Sequence, residues 1–200
     1  MSRFSFPYPV KPWKVNQEWG IYNPAYQRFG FTRHNGTDVA LGINANIAAP
    51  FPGTIIRPST KENGQWQPNG GGVFVSLISD EKFDFPDGLS AYVFADFLHC
   101  DHLLVQEGQH VSLGDTIAIA DNTGFSTGPH THIQLRRCAI EPGGQYVING
   151  KQAHLAWLDQ NEANNSFDPT PYYSGTYAID TQISALQTIL SLLKQLLKGR

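Results

Sequence analysis

Sulfur and charge are both scarce in this chain. Of its 200 residues two are cysteine, Cys100 and Cys138, and one is methionine. Two thiols are too few for a disulfide framework and too few for a thiolate zinc site. Each reads as a small buried side chain, the common fate of free cysteine, with a bridge between neighbouring strands as the alternative. Charged residues make up 16% of the chain, and a net charge of −3 gives no electrostatic reason to expect nucleic acid. Long apolar runs are missing too: none approaches the roughly 20 residues that cross a bilayer. Nothing behind Arg3 resembles the apolar core of a signal peptide, so the expectation is export by another route or a leader already removed. Acids are absent from residues 181–200, where Lys194, Lys198 and Arg200 leave a tail of +3 on a remainder of −6.

What the chain has in quantity is turn and ring: 19 Gly, 13 Pro, four Trp, eight Tyr and twelve Phe. Helical periodicity is almost absent before residue 180. Short runs rich in β-branched and aromatic residues stand at 53–57, 72–78, 91–98, 110–111, 116–120 and 130–137, bounded by Gly, Pro, Asn and Asp. That pattern predicts an all-β domain. Residues 133–137 alternate apolar and polar, as a half-buried strand does. Residues 59–71 and 80–88 are expected as surface loops beside a groove. From about 139 an extended connection is expected to wrap the domain, anchored by a helical turn at 153–158.

The tail differs. Ile183, Leu186, Leu190, Leu193 and Leu197 recur at heptad-like spacing, and Ile189, Leu192 and Leu196 widen the apolar face. A C-terminal amphipathic α-helix over 181–200 follows, with Asp180 as its cap and Gly199 as its stop. Two uses are open: docking or self-association, and contact with a bacterial membrane through a basic amphipathic face.

Seven histidines are present, and four of them join an aspartate in a pattern. His34 and Asp38 lie four apart in His-Asn-Gly-Thr-Asp, and imidazole and carboxylate are both good zinc ligands. Gly36 between them lets the chain bend. His130 and His132 are two apart, so on a strand they face the same side. A site with three protein ligands leaves a position for water, which is the arrangement catalytic zinc needs.

These motifs resemble those of the lysostaphin-type (LytM-like) zinc endopeptidases of bacterial cell walls. The family's His-x-x-x-Asp is matched by His34 and Asp38. Its middle His ahead of Val-x-x-Gly-Gln-x-Val-x-x-Gly is matched by His99 and Val105-Gln-Glu-Gly-Gln-His-Val-Ser-Leu-Gly114. Its closing motif is matched by Thr123-Gly-Phe-Ser-Thr-Gly-Pro-His-Thr-His132. The resemblance implies an antiparallel β-sheet domain with a substrate groove and one Zn²⁺ held by His34, Asp38 and His132. It implies His99 and His130 as the catalytic pair, one stabilising the tetrahedral intermediate and one handling the proton of water. The substrate implied is the stem or cross-bridge peptide of peptidoglycan, and the action cell-wall lysis.

The chain departs from the family at Phe97-Leu98-His99-Cys100, where Tyr-x-His-Leu is usual, and His102 stands as a rival three residues on. Spacing to Val105 and Gly108 favours His99. The turn at 70–72 lacks the family's Asn, and His110 and His154 are left outside the site. Organisation follows as an N-terminal extension (1–18), the metallopeptidase domain (19–140), a wrapping extension (141–180) and the helix (181–200). A non-catalytic peptidoglycan-binding or activator module is the alternative function, and a D-alanyl carboxypeptidase a further one. Action is placed at the bacterial cell wall, either as a phage-encoded endolysin, the reading adopted, or as a bacterial remodelling enzyme or antibacterial bacteriocin.

Overall fold

The computed structural model describes residues 5–29, 32–59, 70–140, 146–148, 151–152 and 166–198. Its strands are β1 (Phe6–Tyr8), β2 (Val15–Gln17), β3 (Thr37–Ala40), β4 (Asn46–Ala48), β5 (Gly53–Ser59), β6 (Val73–Asp84) and β7 (Ser90–Leu103). They continue as β8 (His110–Val111), β9 (Thr116–Ala120), β10 (His130–Ile140), β11 (Tyr146–Ile148), β12 (Lys151–Gln152), β13 (Ser166–Phe167) and β14 (Tyr173–Tyr177). One helix follows, α1 (Ala178–Lys198), and Pro24–Phe29 forms a short 3-10 turn.

Twelve strands make one sheet whose spine runs β12-β11-β10-β7-β6-β5-β8, with β2–β3 and β13 joined to β10 and β4–β9 joined to β7. Its pairings are antiparallel. This is the all-β, antiparallel architecture expected, with the C-terminal helix appended.

Period-two alternation divides the central strands into two layers. Ile133, Phe97 and Val75 share one row across β10, β7 and β6, and Leu135, Ala95 and Leu77 share the next. All six are fully buried and belong to the main apolar core with Ile47, Ile55 and Ile117. The opposite face carries His132 beside Leu98, then Gln134, Asp96 and Ser76, then Arg136, Phe94 and Ile78. Strand β10 was expected half-buried, yet Gln134 and Arg136 are at most 1% exposed. Each is held internally through one of its polar atoms. Gln134 accepts from Asn35 at 3.3 Å, Arg136 donates to Asp96, and Ser76 donates to the same carboxylate at 2.5 Å. Buried charge is tolerated where it is paired in this way.

The loop expected at 80–88 is shorter than it looked. Strand β6 runs on to Asp84 and β7 begins at Ser90, because Phe85 turns inward (1% exposed) and anchors a tight hairpin end. The expected loop at 59–71 and the helical turn at 153–158, with His154, lie almost wholly outside the described residues. Cys100 and Cys138 are buried free thiols. Cys138 pairs with Tyr92 on β7, eight residues along that strand from Cys100, a separation of about 26 Å that no disulfide spans.

The helix opens at Ala178, so Asp180 lies inside its first turn and pairs with Lys11 at 2.7 Å instead of capping it. Strand β1 lies parallel to β14 beneath it.

Candidate active site

Strand pairing assembles the site. His132 on β10 lies in register with Asp38 on β3, and both point to the same face. His34 precedes β3 and is buried (3% exposed). Its Nδ1 lies 3.0 Å from the carbonyl oxygen of Glu18. A carbonyl only accepts, so Nδ1 carries the proton and Nε2 presents a lone pair. That Nε2 is 3.0 Å from His132 Nδ1 and 3.1 Å from Asp38 Oδ1, and the latter two atoms are 3.0 Å apart.

Three electron-pair donors therefore converge on one point with room for at most one proton among them. A tetrahedral ion with bonds of about 2.05 Å would set such atoms about 3.3 Å apart, so the residues fit a small divalent cation. The chemistry of the set, two imidazoles and a carboxylate, suits zinc. Burial alone would raise the Asp38 pKa. The two imidazoles packed against the carboxylate, His132 and then His34, outweigh it and hold the carboxyl far below the ordinary range. Burial pushes the His132 pKa down, against the pull of Asp38.

The space between the two ligand segments is set by Gly36. A Cβ there would stand 2.5 Å from His132 Nε2 and 2.5 Å from the carbonyl oxygen of Ile133. Its backbone does not require a left-handed turn. Gly36 matters because the His132 ring packs where its side chain would be, not because the chain must bend.

His130 and His99 flank the three. His130 Nε2 is 3.6 Å from Asp38 Oδ1, and its Nδ1 is held by the carbonyl oxygen of Gly128 at 2.8 Å, with Ser126 Oγ at 3.0 Å. His99 donates Nδ1–H to the carbonyl oxygen of Thr123 at 2.8 Å. Both rings thus keep Nε2 as an acceptor, and their centroids are 4.7 Å apart. Burial first, then the neighbouring His130 and His132, lowers the His99 pKa to about 3.

His99 reaches this position through an irregularity. Between the pairs Val73–Cys100 and Val75–Phe97 the register slips, so Leu98 and His99 together oppose Phe74. His99 takes φ +66°, a left-handed conformation that costs a non-glycine residue on the order of 1–3 kcal/mol. Bulges of this kind re-aim a side chain beside a site. Thr123 secures it: its Oγ1 donates to the Cys100 carbonyl at 2.5 Å and accepts from the Val73 amide at 3.0 Å.

The other described histidines lie elsewhere. His102 is exposed and pairs with Asp101, and His110 is exposed and pairs with Asp80. Sequence reasoning missed Tyr26, whose ring stacks on His34 at 5.6 Å and 14°, and Gln17, which donates to the Tyr26 hydroxyl at 2.7 Å. Neither carries a spacing signal. Thr123 and Ser126 stood inside the quoted motif, but their hydrogen bonds depend on how residues 70–73 and 121–129 fold together. Arg136 does share the face of His130 and His132. It is buried against Asp96 and so does not read a substrate carboxylate.

The description Peptidase family M23 matches residues 32–152, which spans the whole constellation. The chain belongs to peptidase family M23. Among relatives of this M23 chain, the peptidoglycan DD-endopeptidase ShyA of Vibrio cholerae is 28% identical over 131 residues, 64% of this chain and 26% of that protein. Lysostaphin of Staphylococcus simulans is 28% identical over 160 residues, 80% of this chain and 29% of that one. The chain thus spans less than a third of the length of either relative. A zinc containing peptidase from Vibrio cholerae superposes with a TM-score of 0.51 at 27% identity, covering 66% of this chain and 37% of the other. The catalytic domain of lysostaphin from Staphylococcus simulans shares the fold, with a TM-score of 0.55, 22% identity and coverage of 80% and 91%.

Proposed function

We propose that this M23 chain is a zinc metalloendopeptidase that hydrolyses peptide bonds in the stem or cross-bridge peptides of peptidoglycan, acting at the bacterial cell wall. The observation that carries it is the convergence of His34 Nε2, Asp38 Oδ1 and His132 Nδ1 within 3.1 Å of one another, beside two imidazoles with free acceptor nitrogens. The three would hold the ion. Zinc, when bound, supplies Lewis acidity for a water molecule and a scissile carbonyl.

His99 and His130 move the proton. In each ring the Nδ1–H is committed to a backbone carbonyl, which leaves Nε2 as the acceptor of the neutral tautomer, so each can accept a proton there and return it to a departing amine. Once protonated, the same Nε2–H is a donor to developing oxyanion charge. The low pKa of His99 suits brief protonation rather than a standing positive charge beside the ion.

Similarity to a peptidoglycan DD-endopeptidase supports the substrate class. An endopeptidase is favoured over a carboxypeptidase because Arg136, on the site face, is already paired with Asp96.

The test is mass spectrometry of fragments released from purified sacculi by wild type, His132→Ala, and chelated protein with zinc restored. New peptide termini from the zinc-loaded wild type alone establish the activity. Stoichiometric zinc with intact sacculi from several bacteria would assign the chain to a non-catalytic wall-binding module.

A further inference from the structure

Helix α1 has 21 residues and is about 31 Å long, and among the described residues it is held at its root. Ala178 is fully buried, Asp180 pairs with Lys11 at 2.7 Å, and the Lys11 ammonium lies 5.0 Å from the centre of the Tyr177 ring. Among the described elements its main packing partners are β1 and β14. From Ile183 to Leu197 every residue is exposed.

That exposure is not the ordinary scatter of apolar surface. Eight leucines and isoleucines, from Ile183 at 47% exposed to Leu197 at 74%, line one side of the rod. Together they present on the order of 800 Å², about what each partner contributes to a standard-size interface. A monomer seldom leaves so much contiguous apolar area in water.

The order of these residues says what covers them. Ile183, Leu190 and Leu197 occupy one heptad position and Leu186 and Leu193 the position three residues later, the two that form a coiled-coil seam. Ile189 and Leu196 fill a third position beside that seam, and Leu192 widens it further. Two helices would bury the first two positions and leave the third in water. A face of three positions in seven belongs to a bundle of more than two helices.

The opposite side argues against a lipid surface. It carries Ser184, Gln187, Thr188, Ser191 and Gln195, which are uncharged, and Ser184 and Thr188 turn their hydroxyls back onto the carbonyls of Asp180 and Ser184. Helices that lie in the membrane interface have a strongly charged polar face rich in Lys and Arg. Between Ile183 and Leu197 the charge here is Lys194 alone.

We propose that α1 is an assembly helix, and that its apolar face packs against α1 of further copies of this chain in a bundle of three or more helices. The bundle gathers several sites on one particle. If the substrate is the polymeric wall, as proposed above, linked sites raise effective concentration at its surface. The assembly itself requires neither zinc nor activity.

Sedimentation equilibrium of the full chain at micromolar to tens of micromolar concentration tests this. The expected mass is three or more times the 22.2 kDa of one chain. Leu190→Gln/Leu193→Gln, at two exposed positions remote from the fold, is expected to sediment as a monomer with unchanged thermal unfolding of the β-domain. Ser191→Ala, on the polar side, should keep the assembled mass. A wild-type monomer or dimer across that range overturns the proposal, as does a monomer that co-sediments with phosphatidylglycerol vesicles. Failure of the peptidase reading would appear in the sacculus digest and leave these masses unaffected.

Discussion

Asp38 and His132 face each other across β3 and β10, 94 residues apart in the chain, with Oδ1 and Nδ1 3.0 Å apart. Strand register, rather than a loop, sets that distance, so the pair is built to a fixed spacing. Replacing Asp38 with Asn removes the negative charge while keeping the size. Zinc retained after dialysis should fall from one per chain towards none, and the rate of peptide release by at least about a hundred-fold. Metal analysis and the sacculus digest measure the two losses.

Gly36→Ala tests the close approach of the ligand ring. A methyl group would meet His132 Nε2 and the Ile133 carbonyl, both at 2.5 Å, and the backbone carbonyl cannot turn away. A stability loss of about 1–3 kcal/mol is expected in denaturant unfolding, with weakened zinc binding. Wild-type zinc affinity in this variant would show that the ring has freedom the packing denies it.

The neutral burial of His99 makes the metal-free protein acid-sensitive. Its pKa is about 3 folded, against about 6.5 in an unfolded chain, so below 6.5 the unfolded state binds the proton that the folded state refuses. Its share of stability is therefore complete above pH 6.5 and lost as pH falls towards 3. Urea midpoints of apo wild type should decline across that window. In His99→Gln the decline should be shallower, and an unchanged slope would remove His99 as its source.

Arg136 and Asp96 form a buried pair whose partners are each about 1% exposed. Asp96→Asn leaves a buried guanidinium without its counter-charge and should cost about 3–5 kcal/mol. Arg136→Met with Asp96→Leu should lie much nearer wild type. Thermal unfolding of the single and double variants separates a charge effect from simple loss of packing.

Cys100 and Cys138 should both titrate as free thiols, but only after unfolding. Burial raises the Cys138 thiol to about 11 and raises Cys100 further, so neither forms thiolate near neutral pH. A thiol reagent should modify none in the native protein and two in guanidinium.

The parts of this molecule that were legible in the sequence are those carried by residue type and spacing. His34, Asp38, His99, His130 and His132 stood out because imidazoles and a carboxylate at such spacings are the groups a metal site uses, and the structure brings the five together. The strands at 53–57, 91–98, 110–111 and 116–120 showed through their β-branched runs and lie within observed strands. Short strands such as β2, β3 and β4 have no such run and exist because a longer neighbour offers an edge. Tyr26 and Gln17 were invisible because stacking and a single hydrogen bond leave no periodic trace. The polar face of β10 misled for a related reason. Gln134 and Arg136 look like solvent-facing residues until their partners on β7, and Asn35, are brought beside them.

The parallel pairing of β1 with β14 joins Phe6 to Tyr173 and Tyr8 to Tyr177, near opposite ends of the sequence, and both strands hold the root of α1. So long a loop closes late in folding, since its entropy is lost before any contact repays it. Until β1 docks on β14 and Ala178 is buried, the rod lacks the contacts that aim it. A nascent chain therefore carries its greasy arm unaimed, and only a molecule that has tied its two ends together can present that arm in a defined pose. The clasp makes the orientation of the arm a certificate that the rest has folded.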